Sequence, residues 1–168
     1  MAAFRHPKPD PVQPGQESVW DYPRPAIAEP TDRHVQIIHK GVTLVDSRSA
    51  WRTLETSHPP TYYVPPQDVL TDHLVANPRR TMCEWKGQAR YWDIRIGSEV
   101  IEAGAWSYLD PPPSFEGIRD CFAFYPDPLG QCLIDGEAIT PQPGRFYGGW
   151  ISRYEAGPFK GGPGSQFW

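Results

Sequence analysis

The sequence is short of three things that would assign it to a class at once. Cysteine is the first: only Cys83, Cys121 and Cys132 occur in 168 residues. An odd number with no Cys-x-x-Cys pair excludes a disulfide framework and a four-cysteine zinc site, so no metal and no cofactor are expected. That usage fits a reducing, cytoplasmic setting. A basic surplus is the second. Lys and Arg total 16 against 20 Asp and Glu, a formal net charge of -4, and no basic run exceeds Arg79-Arg80. A nucleic-acid binder concentrates positive charge on one face, so no nucleic-acid partner is expected. Third, no segment approaches the roughly 18 uninterrupted apolar residues of a membrane span, and the first residues have no apolar leader core. The expectation is a soluble, unprocessed chain with no membrane partner.

What the sequence has in excess is proline and aromatic residues. The 21 prolines exceed twice the usual ~5%, yet 7 Trp, 8 Tyr and 7 Phe supply ample surface to bury, unlike a disordered chain. The prolines therefore belong to loops of a folded unit. A chain of this length reads as one domain that buries roughly two thirds of its unfolded surface. Residues 1–18, punctuated by Pro7, Pro9, Pro11 and Pro14, read as an extended arm. Residues 19–168 read as the single domain, including a Gly/Pro-rich tail.

Strand signals dominate that domain. Residues 34–39 and 42–45 flank Lys40-Gly41 as a hairpin. Residues 81–85, 89–96 and 100–109, separated by Lys86-Gly87 and Gly97-Ser98, read as a three-strand meander at the heart of the sheet. Residues 61–64 and 120–125 add short strands, and Asp135-Gly136 supplies a two-residue hairpin turn. Two short helices are expected, at residues 50–55 after Ser47-Arg48-Ser49 and at residues 68–75 before Asn77-Pro78. After Gly144 the tail carries too much glycine and proline for a core element.

Three constellations could carry chemistry. Cys83-Glu84-Trp85-Lys86-Gly87 is the densest: on a strand Cys83 and Trp85 share one face, Glu84 and Lys86 the other. The charged pair is then either a solvated cross-turn pair of small energetic value or the mouth of a pocket. Cys83 is either a buried small hydrophobe or a nucleophile if a base stands beside it. Glu55, His58, Tyr63 and Asp68 surround a proline-framed loop. Such a frame lowers the cost of holding polar groups in place, and Glu55 with Asp68 could do acid–base work. The competing reading makes Asp68 a helix cap and Glu55 a helix end. The third is the set of seven tryptophans, more than a core of this size needs. Aromatic walls with a few polar groups are the usual make-up of a small-ligand pocket.

Several long strings resemble one family. Trp20-Asp-Tyr-Pro-Arg-Pro, the run from Leu54 to Val69, Cys83-Glu-Trp-Lys-Gly-Gln-Ala-Arg-Tyr-Trp, Ala105-Trp-Ser-Tyr, Phe122-Ala-Phe-Tyr-Pro, Phe146-Tyr-Gly-Gly-Trp and Gly157-Pro-Phe-Lys-Gly-Gly-Pro-Gly look like the bacterial and fungal family catalogued as domain of unknown function 427. The resemblance runs from about Trp20 to the end. It implies a mainly β, β-rich α+β unit: a compact antiparallel β-tent-like sheet or barrel with two short helices and long proline-rich loops. Some β-tent relatives hold small ligands in an aromatic cage, and others carry zinc on paired Cys-x-x-Cys motifs, which this chain lacks. The family carries a nucleotidyltransferase-type label, while this sequence has neither a triphosphate loop nor a paired-aspartate metal signature.

On matched positions, the expected ligand-binding residues are Arg24, Glu55, Tyr63, Asp68, Cys83, Trp85, Lys86 and Trp106. The leading expectation is a small-molecule binding module. The alternatives are a small enzyme using Cys83 as nucleophile or Glu55 and Asp68 as acid and base, on a nucleotide-like substrate, and a protein-interaction module or homodimer.

Overall fold

The structure is a computed structural model that describes residues 6–144 and 146–168; the first five residues of the expected arm lie outside that range. In chain order the strands are Glu17–Ser18 (β1), Ile27–Pro30 (β2), Val35–His39 (β3), Val42–Ser47 (β4), Trp51–Leu54 (β5), Thr61–Tyr63 (β6), Leu74–Cys83 (β7), Gly87–Ile96 (β8), Glu99–Tyr108 (β9) and Phe122–Phe124 (β10). Gln131–Ile134 (β11), Glu137–Ala138 (β12), Thr140–Pro141 (β13), Trp150–Ile151 (β14) and Glu155–Ala156 (β15) complete them. The protein is mainly β, in several sheets. The largest are a four-stranded antiparallel sheet β10-β9-β8-β7, a second antiparallel sheet β12-β11-β3-β4 and a three-stranded sheet β2-β5-β6. Among the described residues no sheet closes into a barrel.

Tight turns fix the registers. Lys40 and Gly41 both hold positive φ between the paired His39 and Val42, and Asp135 and Gly136 do the same between Ile134 and Glu137. Positive φ at both central residues matches the twist of the flanking strands. The long meander appears where the sequence pattern places it, with β7 reaching further towards the N-terminus than expected.

Both expected helices are absent. Residues 51–54 form β5, paired to β2 on one side and β6 on the other. A six-residue helix closes very few internal hydrogen bonds, whereas two neighbours satisfy this backbone and Trp51 and Thr53 suit a pleated surface. Residues 66–68 and 71–73 are single 3-10 turns, and Leu74 already begins β7. Pro78, expected as a stop, lies within β7 at a register shift between Asn77 and Arg80. A sheet edge tolerates the missing N–H, and β7 is an edge strand.

The pleat gives the large sheet two buried faces. Trp92, Ile94, Ile96, Ala105, Phe122 and Phe124 turn to an aliphatic core built with Val35, Ile37, Leu44, Val45 and Ile134. Ala89, Tyr91, Trp106, Tyr108 and Ala123 turn the other way, into an aromatic cluster with Tyr63 and Phe115. Registers agree: Tyr91 stands opposite Trp106 and Ala89 opposite Tyr108, while Trp92 stands opposite Ala105.

The tail is not a loose appendage. Trp150 is buried and its Nε1 donates to the Phe124 carbonyl at 3.3 Å. The arm docks on it in turn: Asp10 N donates to Gly157 O at 2.8 Å, and β1 pairs with β15 in parallel. A fully buried Glu155 side chain accepts from Arg33 at 3.0 Å and from the Ser152 hydroxyl at 2.8 Å. Those partners offset the cost of burying the carboxylate. Among the described residues, no helix is long and apolar enough to cross a membrane.

Candidate ligand-binding site

A cavity of about 880 Å³ opens on the aromatic face of the large sheet. Its floor is Tyr91 on β8 with Trp106 and Tyr108 on β9; Thr81 and Cys83 on β7 form one side, and Tyr63 with the Glu55–Pro59 loop another. The tail supplies the remaining wall through Gln142, Tyr147, Gly148 and Lys160.

The walls are held by ring contacts and hydrogen bonds. Trp106 Nε1 donates to the Tyr63 hydroxyl at 3.3 Å with the two rings perpendicular, and Tyr125 packs on Trp106 with centroids 4.5 Å apart. The Tyr91 and Thr81 hydroxyls lie 2.8 Å apart. Burial pushes the Tyr63 and Tyr108 phenols up from their ordinary value and Tyr125 to about 12, so all three stay neutral donors near neutral pH. The Tyr108 hydroxyl has no hydrogen-bond partner among the described residues. Gly148 lets the tail close over this wall: a Cβ there would stand 2.3 Å from the Trp106 ring.

The polar wall centres on Glu55. His58 Nε2 lies 3.3 Å from Glu55 Oε2, and Arg24 reaches the same oxygen at 3.8 Å. Gln142 fixes the imidazole. Its Oε1 accepts from Gly149 N at 3.1 Å and its Nε2 donates to Lys160 O at 2.8 Å, so the amide orientation is set and Nε2 also donates to His58 Nδ1 at 3.0 Å. Nδ1 is thereby an acceptor, and the ring proton sits on Nε2, facing Glu55. Burial alone would raise the Glu55 carboxyl; the His58 hydrogen bond and the charges of Lys86 and Arg24 outweigh it and hold it below the usual carboxylate value. Glu55 is an ionised acceptor at the cavity wall.

Of the residues expected from sequence, Glu55, Tyr63, Cys83, Lys86 and Trp106 line the cavity together. Arg24 stands behind Glu55. Asp68 and Trp85 do not line it: Asp68 accepts from the Ser47 hydroxyl at 2.7 Å, and Trp85 packs on the outside of the aromatic cluster. An acid–base pair of Glu55 and Asp68 is therefore not assembled, and with no helix at residues 68–75 Asp68 is no helix cap. Alternation fails at residues 84–86 because they are the hairpin turn between β7 and β8 rather than strand. Cys83 and Lys86 consequently meet, Nζ to Sγ 3.9 Å, while Glu84 points to solvent.

Sequence reasoning missed Arg79, Tyr91, Tyr125, Gln142, Tyr147 and Lys160. For Tyr147 and Lys160 the available signal was the pair of uncommon strings at residues 146–150 and 157–164, and for Tyr91 and Tyr125 the strings at residues 83–92 and 122–126. Among the described residues no group of three or more His, Cys, Asp or Glu side chains is placed to hold a metal ion.

The sequence profile of the domain of unknown function DUF427 matches residues 27–135, and the chain belongs to that family. No curated protein matches the chain.

Proposed function

We propose that this protein binds a small organic molecule in the aromatic cavity. The observation that carries the reading is the cavity itself: about 880 Å³, within the roughly 300–1,000 Å³ usual for small-ligand sites, walled by Trp and Tyr rings with a few fixed polar groups. Trp106, Tyr63 and Tyr125 give flat apolar contact at low entropic cost. Glu55, oriented through His58 by Gln142, accepts from a ligand donor. Native mass spectrometry of undialysed protein tests this. A bound small molecule is expected in wild type and weakened or lost in Cys83→Trp, whose indole intrudes on the cavity. Wild-type protein that carries nothing and gains no thermal stability from a library of small organic compounds contradicts the reading.

A second reading, a small enzyme, is favoured by one observation: the Cys83 thiol and the Lys86 ammonium share the same cavity, so a nucleophile and a cation would flank one bound molecule. A Cys83→Ala protein that keeps full turnover on any substrate found removes Cys83 from the chemistry.

A further inference from the structure

We propose that the cavity takes a planar organic anion, its carboxylate or equivalent acidic group set between Lys86 and the Tyr108 hydroxyl. The inference rests on the cavity being a ligand site and adds the charge and shape of what fills it.

Among the described residues the half-buried cations are Arg33, Arg52, Lys86 and Lys160, and Lys160, which also lines the cavity, donates to the Trp168 carbonyl oxygen at 3.2 Å. Arg33 is paired with Glu155 at 3.0 Å and Arg52 with Glu29 at 2.7 Å, as expected for charges drawn partly out of water. Lys86 is half-buried, and its Nζ lies 3.9 Å from the Cys83 sulfur and 5.7 Å from the centre of the Phe115 ring. Among the described residues no carboxylate lies within ion-pair distance of it. Glu55 acts on it electrostatically from further away, and that carboxylate is already engaged by His58 and Arg24. An ammonium on a half-buried side chain, with no carboxylate beside it among the described residues, is stabilised by an acidic group brought in by a ligand.

The second donor is Tyr108, which also lines the cavity. Its hydroxyl has no hydrogen-bond partner among the described residues, so it can donate to an anion without giving up a bond to any of them. The rings of Trp106, Tyr63, Tyr91 and Tyr125 around these two donors ask for a flat apolar body. The cavity is too large for a bare inorganic ion to fill. Glu102 and Asp127 also line it, but both are exposed, as is Arg79 beside them. In water at the rim their fields are screened over about 10 Å, whereas Lys86 acts at short range.

The test is calorimetric titration of the whole protein with 2-naphthoate and with 2-naphthamide, which share a ring system and differ in charge. A charge-assisted hydrogen bond exceeds a neutral one by about the free energy of a tenfold change in affinity. The acid is therefore expected to bind at least about tenfold tighter than the amide. Lys86→Met should level the two, while Lys86→Arg keeps the preference. Equal affinities in wild type overturn the anion assignment and leave the binding reading standing. A preference that survives Lys86→Met overturns the role of Lys86, and failure of both probes to bind overturns the planar-anion assignment, while the binding reading stands or falls on the mass spectrometry and the compound library.

Discussion

The two faces of the meander sheet, built from the same three long strands, do opposite things. On one, Ile94 and Ile96 meet Val35, Ile37, Leu44 and Ile134 and fill the space between sheets with aliphatic side chains. On the other, Tyr91, Trp106 and Tyr108 meet Tyr63, and rigid rings leave about 880 Å³ open. Branched aliphatics interdigitate to crystal-like density. Tyr63 and Trp106, edge-on and tied by the indole–hydroxyl hydrogen bond, cannot collapse without breaking that bond. The lesson is that composition face by face, rather than fold, decides where this molecule is solid and where it is hollow.

Substitutions can break that contrast. The largest effect is expected on the solid face: Ile94→Ala should cost about 2–5 kcal/mol in denaturant unfolding, since Ile94 is fully buried. Gly148→Ala comes next. Its new methyl would meet the Trp106 ring, so a loss of about 1–3 kcal/mol is expected, together with a shift in Trp106 fluorescence that the Ile94 variant lacks. Tyr108→Phe, on the hollow face, should change stability by under about 1 kcal/mol, because its hydroxyl has no hydrogen-bond partner among the described residues. A cost as large as that of Ile94→Ala would mean that the hydroxyl is structural. Arg24→Ala should be smallest in stability, within about 1 kcal/mol, as its pair with Glu55 is partly exposed at 41% and 25%.

A pH series sharpens the same comparison. The Glu55 carboxyl is held below its ordinary 4.5 in the folded state. Its stabilisation is therefore complete above that value and is lost as pH falls through the lower folded value. Denaturant midpoints should fall more steeply on acidification in wild type than in Glu55→Gln. Parallel acid limbs would show that the His58–Gln142 chain does not hold the carboxylate ionised.

How much of this was legible in sequence follows the range of the interactions. Lys40-Gly41 and Asp135-Gly136 set their hairpins through local φ, and the meander announced itself by turn residues between β-branched runs. Trp51 to Leu54 misled because i, i+3 spacing in so short a run cannot outvote two neighbouring strands. Glu55, Tyr63, Cys83, Lys86 and Trp106 were legible as a set through their aromatic and charged clustering. Asp68 was not separable from them, since only the Ser47 hydroxyl shows where its carboxylate points. Gln142, Tyr147 and Lys160 were hidden for a different reason: the tail reaches the cavity through contacts spanning long stretches of chain, and its glycines serve close approach rather than looseness.

The most direct test of the account is a crystal structure of the protein purified without dialysis, read for density between Trp106 and Lys86. A flat molecule is expected against the Trp106 ring, with an acidic group at Lys86 and Tyr108. Aromatic side chains folded inward over a closed cavity, with Lys86 turned out to solvent, would contradict it.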